Sequence, residues 1–357
     1  MQIARFDLSN CMISICLPTL NARRFLPERM ESILAQTRAD WELIVCDSYS
    51  DDGTWEYLKQ FESDPRVRLF QVPKEGLYAG WNECLKRVRG EFIYIATADD
   101  TMDFQCLHKL LEPMLMDSNV SLVKGKIDQI DESGKIMLTE SKQIHVFLQP
   151  FLKAEKTEIS GLSLFLLLAA FGWGLGSVTG FMFRKEVLHS AGFFPTDLGF
   201  LGDAEWTLRA VLSVGKVVWL SDTVATWRFH PFQASRRKNR LLEAWFFREA
   251  LRRVLDAPGT LPLSRLRLEV LQARETELEV ATLLHRSNLS TAWRKWPWFI
   301  IQALKIEPKL VWKRVMAGFG SPKHWRMTAP EQARSLLNAL HAPWPPKTFH
   351  PAPALDK

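Results

Sequence analysis

A chain of 357 residues, 47% hydrophobic and 24% charged, has the length of one large domain with an appendage and the composition of an ordinary folded protein. Its net charge of +6 conceals two unlike parts: residues 1–230 hold 24 Lys and Arg against 30 Asp and Glu, whereas residues 231–357 hold 22 against 10. An acidic part joined to a basic one points to two jobs, or to one job done at a charged surface.

The first half alternates two hydrophobic periods. Residues 12–17, 41–46, 67–72 and 92–96 are apolar, β-branched runs of strand length, and residues 25–36, 54–61 and 77–88 between them have helical spacing. Repeated β-α units this short predict an α/β fold: a Rossmann-like, mostly parallel sheet with helices on both faces. Residues 120–127 read as a fifth strand, followed by a turn at residues 131–135 and a short apolar run at 136–138. All five cysteines (Cys11, Cys16, Cys46, Cys84, Cys106) lie in the first third without a C-x-x-C pair, which excludes zinc-finger spacing and a disulfide framework and predicts a reducing compartment. Cys16 and Cys46 fall inside strand runs as small core residues. The apolar run at 12–17 is too short for a secretion signal and ends in Pro18, so a cytoplasmic location is expected.

Ligands of open α/β sheets sit beyond the carboxyl ends of strands, and here each strand end is polar. Pro18-Thr19-Leu20-Asn21 follows the first strand and Asp47-Ser48-Tyr49-Ser50-Asp51-Asp52-Gly53-Thr54 the second. The third β-α unit leads to Gly76 and Asn82, and the fourth strand releases Thr97, Asp99 and Asp100. Adjacent carboxylates repel, a cost that a divalent cation relieves. The plain alternative is an acidic N-cap for a helix starting near Met102. A capping loop at 47–54 and a surface position for Asn82 are the corresponding plain readings there.

These four motifs, in this order over about ninety residues, resemble the nucleotide-binding half of family-2 inverting glycosyltransferases, which have the GT-A fold. The family's P-T/V-Y/L-N, D-D-G-S-x-D-G-T, G-x-x-x-A/G-x-N and G-E-Y-I-x-x-L-D-A-D-D patterns fall on Pro18–Asn21, Asp47–Thr54, Gly76–Asn82 and Gly90–Asp100. The resemblance implies a donor site of Pro18, Thr19, Asn21, Asp47, Ser50, Gly76, Asn82, Thr97, Asp99 and Arg228, with Thr19, Asn21 and Asp47 at base and ribose. It implies Mn2+ or Mg2+ held by Asp99, Asp100 and His230. In this chain Thr97 replaces the first acid of D-A-D, Ser48 replaces the second acid of D-D-G-S, and Trp81 stands where many relatives carry Arg.

Residues 161–176 carry no charge, and Gly172, Gly174, Gly176 and Gly180 cluster at the end of that stretch. This predicts a buried or interfacial helix and a glycine-rich loop near the acceptor rather than a membrane span. Residues 177–184 read as a strand, 185–190 as a short helix, 202–212 as an amphipathic helix and 216–220 as a strand. The family resemblance continues through Gly192-Phe193-Phe194-Pro195, through Gly202-Asp203 with Arg209, and through Arg228-Phe229-His230. It implies that Asp203 is the general base, although Gly202 replaces the usual Glu before it. By position alone Asp203 also reads as an N-cap, and Glu205 is the alternative base. A carboxylate suits the role, because inversion requires an in-line hydroxyl whose proton is removed as the bond forms.

Past His230 the resemblance fades. Helical patterns at 241–255, 263–285 and 290–304 follow the positive run Arg236–Arg240, and residues 293–314 mix tryptophans with Lys and Arg. Such a segment suits an anionic membrane surface, engaged through residues 236–325, or else a bundle with a solvated basic face. The expected organisation is a catalytic domain at 1–235 (nucleotide-sugar half 1–128, acceptor half 129–235), a basic helical C-terminal extension at 236–340, and a Pro-rich, disordered tail at 341–357. The expected activity is transfer of a sugar from a nucleotide-sugar donor, UDP-linked by preference, to a hydroxyl acceptor on a glycan or lipid-linked glycan at the inner face of the cell membrane. A nucleotidyltransferase is disfavoured because residues 18–24 hold no glycine, and nucleic acid because no such motif is present. An inactive scaffolding relative is the remaining alternative.

Overall fold

The computed structural model describes residues 12–138, 154–171, 177–231, 233, 240–256 and 347–349. Strand periodicity sets the layout. In β1 (Ile13–Thr19), Ile13, Ile15 and Leu17 face one core with Leu43 and Val45 of β2 (Trp41–Asp47) and Phe92 and Tyr94 of β4 (Phe92–Ile95). Cys16, Ile44, Cys46, Ile93 and Ile95, one residue out of phase, face the other. Helices α1 (Leu26–Leu34), α2 (Thr54–Leu58, through Leu58) and α4 (Cys106–Met116) contribute to the first core, and α3 (Leu77–Leu85) lies over the second. Burial on both faces is why these strands read as unbroken apolar runs. Cys16, Cys46, Cys84 and Cys106 are buried free thiols.

With β3 (Val67–Gln71), the order β3-β2-β1-β4 forms the expected parallel block. Beyond it the sheet becomes mixed. β9 (Phe181–Arg184) runs antiparallel between β4 and β6 (Val120–Ile130). β10 (Lys216–Arg228) is parallel to β6, and β8 (Lys156–Ser160) is antiparallel to β10. Register shifts between Trp219 and Ala225 bend β10, as bulges do, and carry its end across to the carboxyl edge of β4. There β5 (Thr101–Met102) pairs with Thr226 and Ala225. The helix expected near Met102 therefore begins only at Cys106, and its cap is Gln105, not an aspartate. β7 (Ile136–Leu138) adds to β6. Lys347–Phe349, inside the tail expected to be disordered, forms β11 on the edge of β8.

The uncharged stretch folds as α5 (Gly161–Phe171), with Leu164 to Ala169 all buried. Each fully buried leucine there contributes about 1.5–3 kcal/mol. It packs on α7 (Gly202–Leu212), which in turn packs on α6 (Lys185–Ala191). Gly161 is required at this junction: a Cβ would stand 2.2 Å from the carbonyl oxygens of Val211 and Val214. Among the described residues no helix is long and apolar enough to cross a membrane. Helix α8 (Arg240–Asp256) docks through Phe247, Leu251 and Val254 and pairs Arg253 with Asp197 at 2.7 Å. The glycine-rich loop at 172–176, residues 236–239 of the basic run, and residues 257–346, which include the tryptophan-rich segment 293–314, lie outside the described residues.

Candidate active site

The ends of β1 and β2 are joined by a buried aspartate. Asp47 is fully buried and accepts hydrogen bonds from the Thr19 hydroxyl at 2.8 Å, the Ser50 hydroxyl at 2.6 Å and the Ser50 N–H at 2.9 Å. Two hydrogen bonds of Asn21 tie the two loops: its N–H donates to Ser50 Oγ at 2.9 Å, and its Oδ1 accepts from Asp51 N–H at 3.1 Å. Thr19, Asn21, Asp47 and Ser50 are thus one cluster, and Asp47 serves it from beneath. The two loops carry Asn21 and Tyr49, respectively, at φ of 50° and 52°. Asn adopts that region readily, whereas an aromatic residue there costs on the order of 1 kcal/mol and persists only in an over-determined loop. Tyr49 is 63% exposed.

β4 ends beside β1, where Ala96 N–H donates to the Cys16 carbonyl at 2.8 Å. The two aspartates that follow point apart. Asp100 is buried, with Oδ1 accepting from Arg228 N–H at 2.8 Å and Oδ2 from the Thr97 hydroxyl. Burial, and then the charge of Asp99, push its carboxyl up to about 8. Both oxygens are engaged by internal donors, so Asp100 braces the turn instead of facing a cation, and Thr97 serves Asp100. Arg228 is likewise fully buried. Its guanidinium donates to the carbonyls of Asp99 at 2.8 Å, Asp131 at 3.1 Å and Glu132 at 3.2 Å, and to Glu28 Oε2 at 2.5 Å. Arg228, expected at the donor site, is thus held by internal partners as a latch.

Asp99 is the acid that faces outward. Its side chain is 32% exposed, and Oδ2 lies 3.0 Å from His230 Nε2. The His230 ring packs on Phe25 at 5.0 Å, and its Nδ1 is buried without a hydrogen-bond partner. Two ligands at right angles on a cation, each at about 2.1 Å, are about 3.0 Å apart, so this carboxylate and imidazole fit a shared Mn2+ or Mg2+. Among the described residues no third His, Cys, Asp or Glu joins them. A cation here would complete its shell with diphosphate oxygens and water.

The third group stands on α3 and α7. Gly76, at φ 105°, opens α3, and the helix approaches β1 closely because a Cβ at Gly80 would lie 3.1 Å from Pro18 Cβ. Pro18 is thereby a packing partner of α3. Asn82 is buried and staples the Phe194 backbone, donating to its carbonyl at 2.8 Å and accepting from its N–H at 2.9 Å. It is neither on the surface nor open to a donor. Trp81 packs edge-on against Tyr78 and Phe194 at 5.2 and 5.1 Å, a core role where relatives place Arg. Asp203 lies inside α7, whose cap is Leu201, so it is not the N-cap. Its Oδ1 accepts from the Tyr78 hydroxyl at 3.1 Å and from Ala204 N–H at 2.9 Å. Glu205 is buried and held by Arg209 at 2.8 and 2.6 Å, which removes it as the alternative base.

Residues 14–189 match the sequence model of the family described as Glycosyl transferase family 2, from β1 through α6. The chain carries a family-2 glycosyltransferase domain. Over 128 residues it is 31% identical to the Escherichia coli UDP-Glc:alpha-D-GlcNAc-diphosphoundecaprenol beta-1,3-glucosyltransferase WfgD, covering 36% of this chain and 50% of that protein. The chain spans about half the length of the curated relatives it matches at this identity. The fold is similar to S. aureus TarS 1-349 in complex with UDP-GlcNAc, at a TM-score of 0.59 and 17% identity over 84% of this chain and 82% of that one. It is also similar to the mannosyltransferase PcManGT from Pyrobaculum calidifontis in complex with GDP-Man and Mn2+, at a TM-score of 0.52 and 17% identity over 92% and 85%. This is the GT-A fold expected above.

Within the glycosyltransferase domain, sequence reading missed two side chains that organise the site. Glu28 on α1 holds Arg228, and Tyr78 on α3 holds Asp203. Nothing local marks Glu28. Tyr78 had one signal, the glycine at 202, where a Cβ would meet the Tyr78 ring at 2.6 Å.

Proposed function

We propose that this domain is a metal-dependent, inverting glycosyltransferase. It moves a sugar from a nucleoside-diphosphate donor, UDP-linked by preference, to a hydroxyl of a cell-surface polysaccharide or lipid-linked glycan. The observation that carries this reading is the 3.0 Å approach of Asp99 Oδ2 to His230 Nε2 at the carboxyl edge of β4, next to the Thr19–Asp47–Ser50 cluster at the ends of β1 and β2. A strand edge with this chemistry suits a nucleotide on one side and its diphosphate on the other. The complexes of the two structural neighbours, one with UDP-GlcNAc and one with GDP-Man and Mn2+, support the donor class. The lipid-linked acceptor in the name of the Escherichia coli relative and the excess of 12 positive charges in residues 231–357 support an acceptor at the cytoplasmic membrane surface.

Each residue then has a task. Asp99 and His230 would hold the cation, which would neutralise charge developing on the leaving diphosphate. Thr19, Asn21 and Ser50 line the nucleoside, with Asp47 fixing their directions. Asp203 accepts the proton of the acceptor hydroxyl as its oxygen bonds to the anomeric carbon. The bond from that carbon to the diphosphate oxygen breaks on the opposite side, and the electron pair leaves with the diphosphate. Arg228 and Asp100 keep the Asp99 turn in one geometry. The test is a thermal-shift panel of nucleoside diphosphates with and without Mn2+, on wild type and Asp99→Ala. A shift that requires Mn2+, appears with one nucleotide and disappears in the variant supports the reading by mass action. Equal shifts in wild type and variant, or none with any nucleotide, would sink it.

A further inference from the structure

We propose that Tyr78 is a positioning residue for the base: its phenol aims the Asp203 carboxylate, and Gly202 exists to admit its ring. The inference rests on the reading of Asp203 as the base and extends it to a residue that no family pattern marks. Tyr78 Oη lies 3.1 Å from Asp203 Oδ1, across the gap between α3 and α7. The ring is 5% exposed and clamped on two sides, edge-on to Trp81 at 5.2 Å and stacked on Phe194 at 6.0 Å with an interplanar angle of 10°. Phe194 is itself fixed by two hydrogen bonds with Asn82, one accepted by its carbonyl and one donated by its N–H. The phenol therefore reaches Asp203 from a rigid support. Carboxylates on the first turn of a helix otherwise swing between rotamers, and a fixed donor on one oxygen selects one of them.

Gly202 completes the argument. A Cβ there would stand 2.6 Å from Tyr78 Cε2, 2.7 Å from Cδ2 and 2.7 Å from the Pro195 carbonyl. Any larger residue, including the glutamate implied by the family pattern, would have to displace this ring. The exchange of an acid for glycine and the presence of a tyrosine at 78 are one arrangement. Burial, and then the charge of Asp203, push the Tyr78 hydroxyl above its ordinary range, so it stays a donor and does not compete for the acceptor's proton.

The test is a double-mutant cycle on the full chain with Tyr78→Phe and Asp203→Asn, reading transfer rate, donor KM and the Mn2+-dependent nucleotide melting shift. Tyr78→Phe keeps the ring and its packing, so melting temperature and nucleotide shift are expected to stay as in wild type. The transfer kcat is expected to fall about tenfold with donor KM unchanged, and the same substitution in the Asp203→Asn background is expected to change the residual rate less than about twofold. An unchanged kcat in Tyr78→Phe while Asp203→Asn abolishes transfer would overturn the inference and leave the base in place. The same tenfold loss in both backgrounds would also overturn it. Full activity in Asp203→Asn would overturn both.

Discussion

Arg228→Met separates a latch from a phosphate ligand. The guanidinium has four contacts, and they differ in worth. Glu28 is half exposed, so losing that ion pair costs little because its carboxylate returns to water. The carbonyls of Asp99, Asp131 and Glu132 are different, since each loses a charged donor at 2.8 to 3.2 Å. An unmatched buried acceptor costs about 1–3 kcal/mol, and removal of one member of a buried charged network costs about 3–5 kcal/mol in all. Methionine fills most of the volume beside Phe25, whose ring lies 5.0 Å from the guanidinium carbon, so little cavity cost is added. The expected loss is about 3–5 kcal/mol of unfolding free energy without any nucleotide, read as the urea midpoint by tryptophan fluorescence. A stability unchanged within about 0.5 kcal/mol, with nucleotide affinity lost in a salt-dependent way, would refute the latch and restore Arg228 as a phosphate contact.

Asn82→Ala tests whether that side chain is a staple. Both backbone groups of Phe194 lose partners, so stability is expected to drop by about 2 kcal/mol in urea unfolding. The affinity for nucleoside diphosphate should stay within twofold of wild type in calorimetry, and a selective loss of affinity would make Asn82 a donor contact. Lys124 on β6 is 1% exposed, donates to the Ser177 carbonyl at 2.9 Å, and is pushed down by burial to about 7. The unfolded chain keeps this proton to the ordinary value of 10.5 while the folded chain releases it near 7. The unfolded state therefore binds more protons between those values, and stability from this group rises with pH across that window. Lys124→Met is expected to be more stable than wild type at about pH 6, with the gap closing towards about pH 10. Parallel pH profiles of the urea midpoint in the two proteins would contradict the burial of a charged amine.

Much of the fold was legible because its information is local. The strands β1, β2, β3 and β4 are buried on both faces, and such strands announce themselves as short apolar runs with polar ends. The ordered motifs also picked out Thr19 and Asp47, which end β1 and β2, Asp99 and His230, which follow β4 and β10, and Asp203 on α7. The errors lie where a residue's surroundings come from far along the chain. Asp99 and Asp100 look alike in sequence, and either suits a helix cap, because the strand that captures Thr101 and Met102 arrives some 120 residues later. Once β10 is there, Arg228 N–H draws Asp100 inward and its side chain grips the Asp99 carbonyl. Two buried, ionised carboxylates side by side would be costly, and the fold resolves this by burying one and turning the other to His230. The pair is therefore one outward-facing carboxylate and its internal support. A substitution at Asp100 would act on the placement of Asp99, while a substitution at Asp99 would remove the carboxylate that meets His230. That asymmetry follows from the meeting of β5 with β10, which no window of sequence contains.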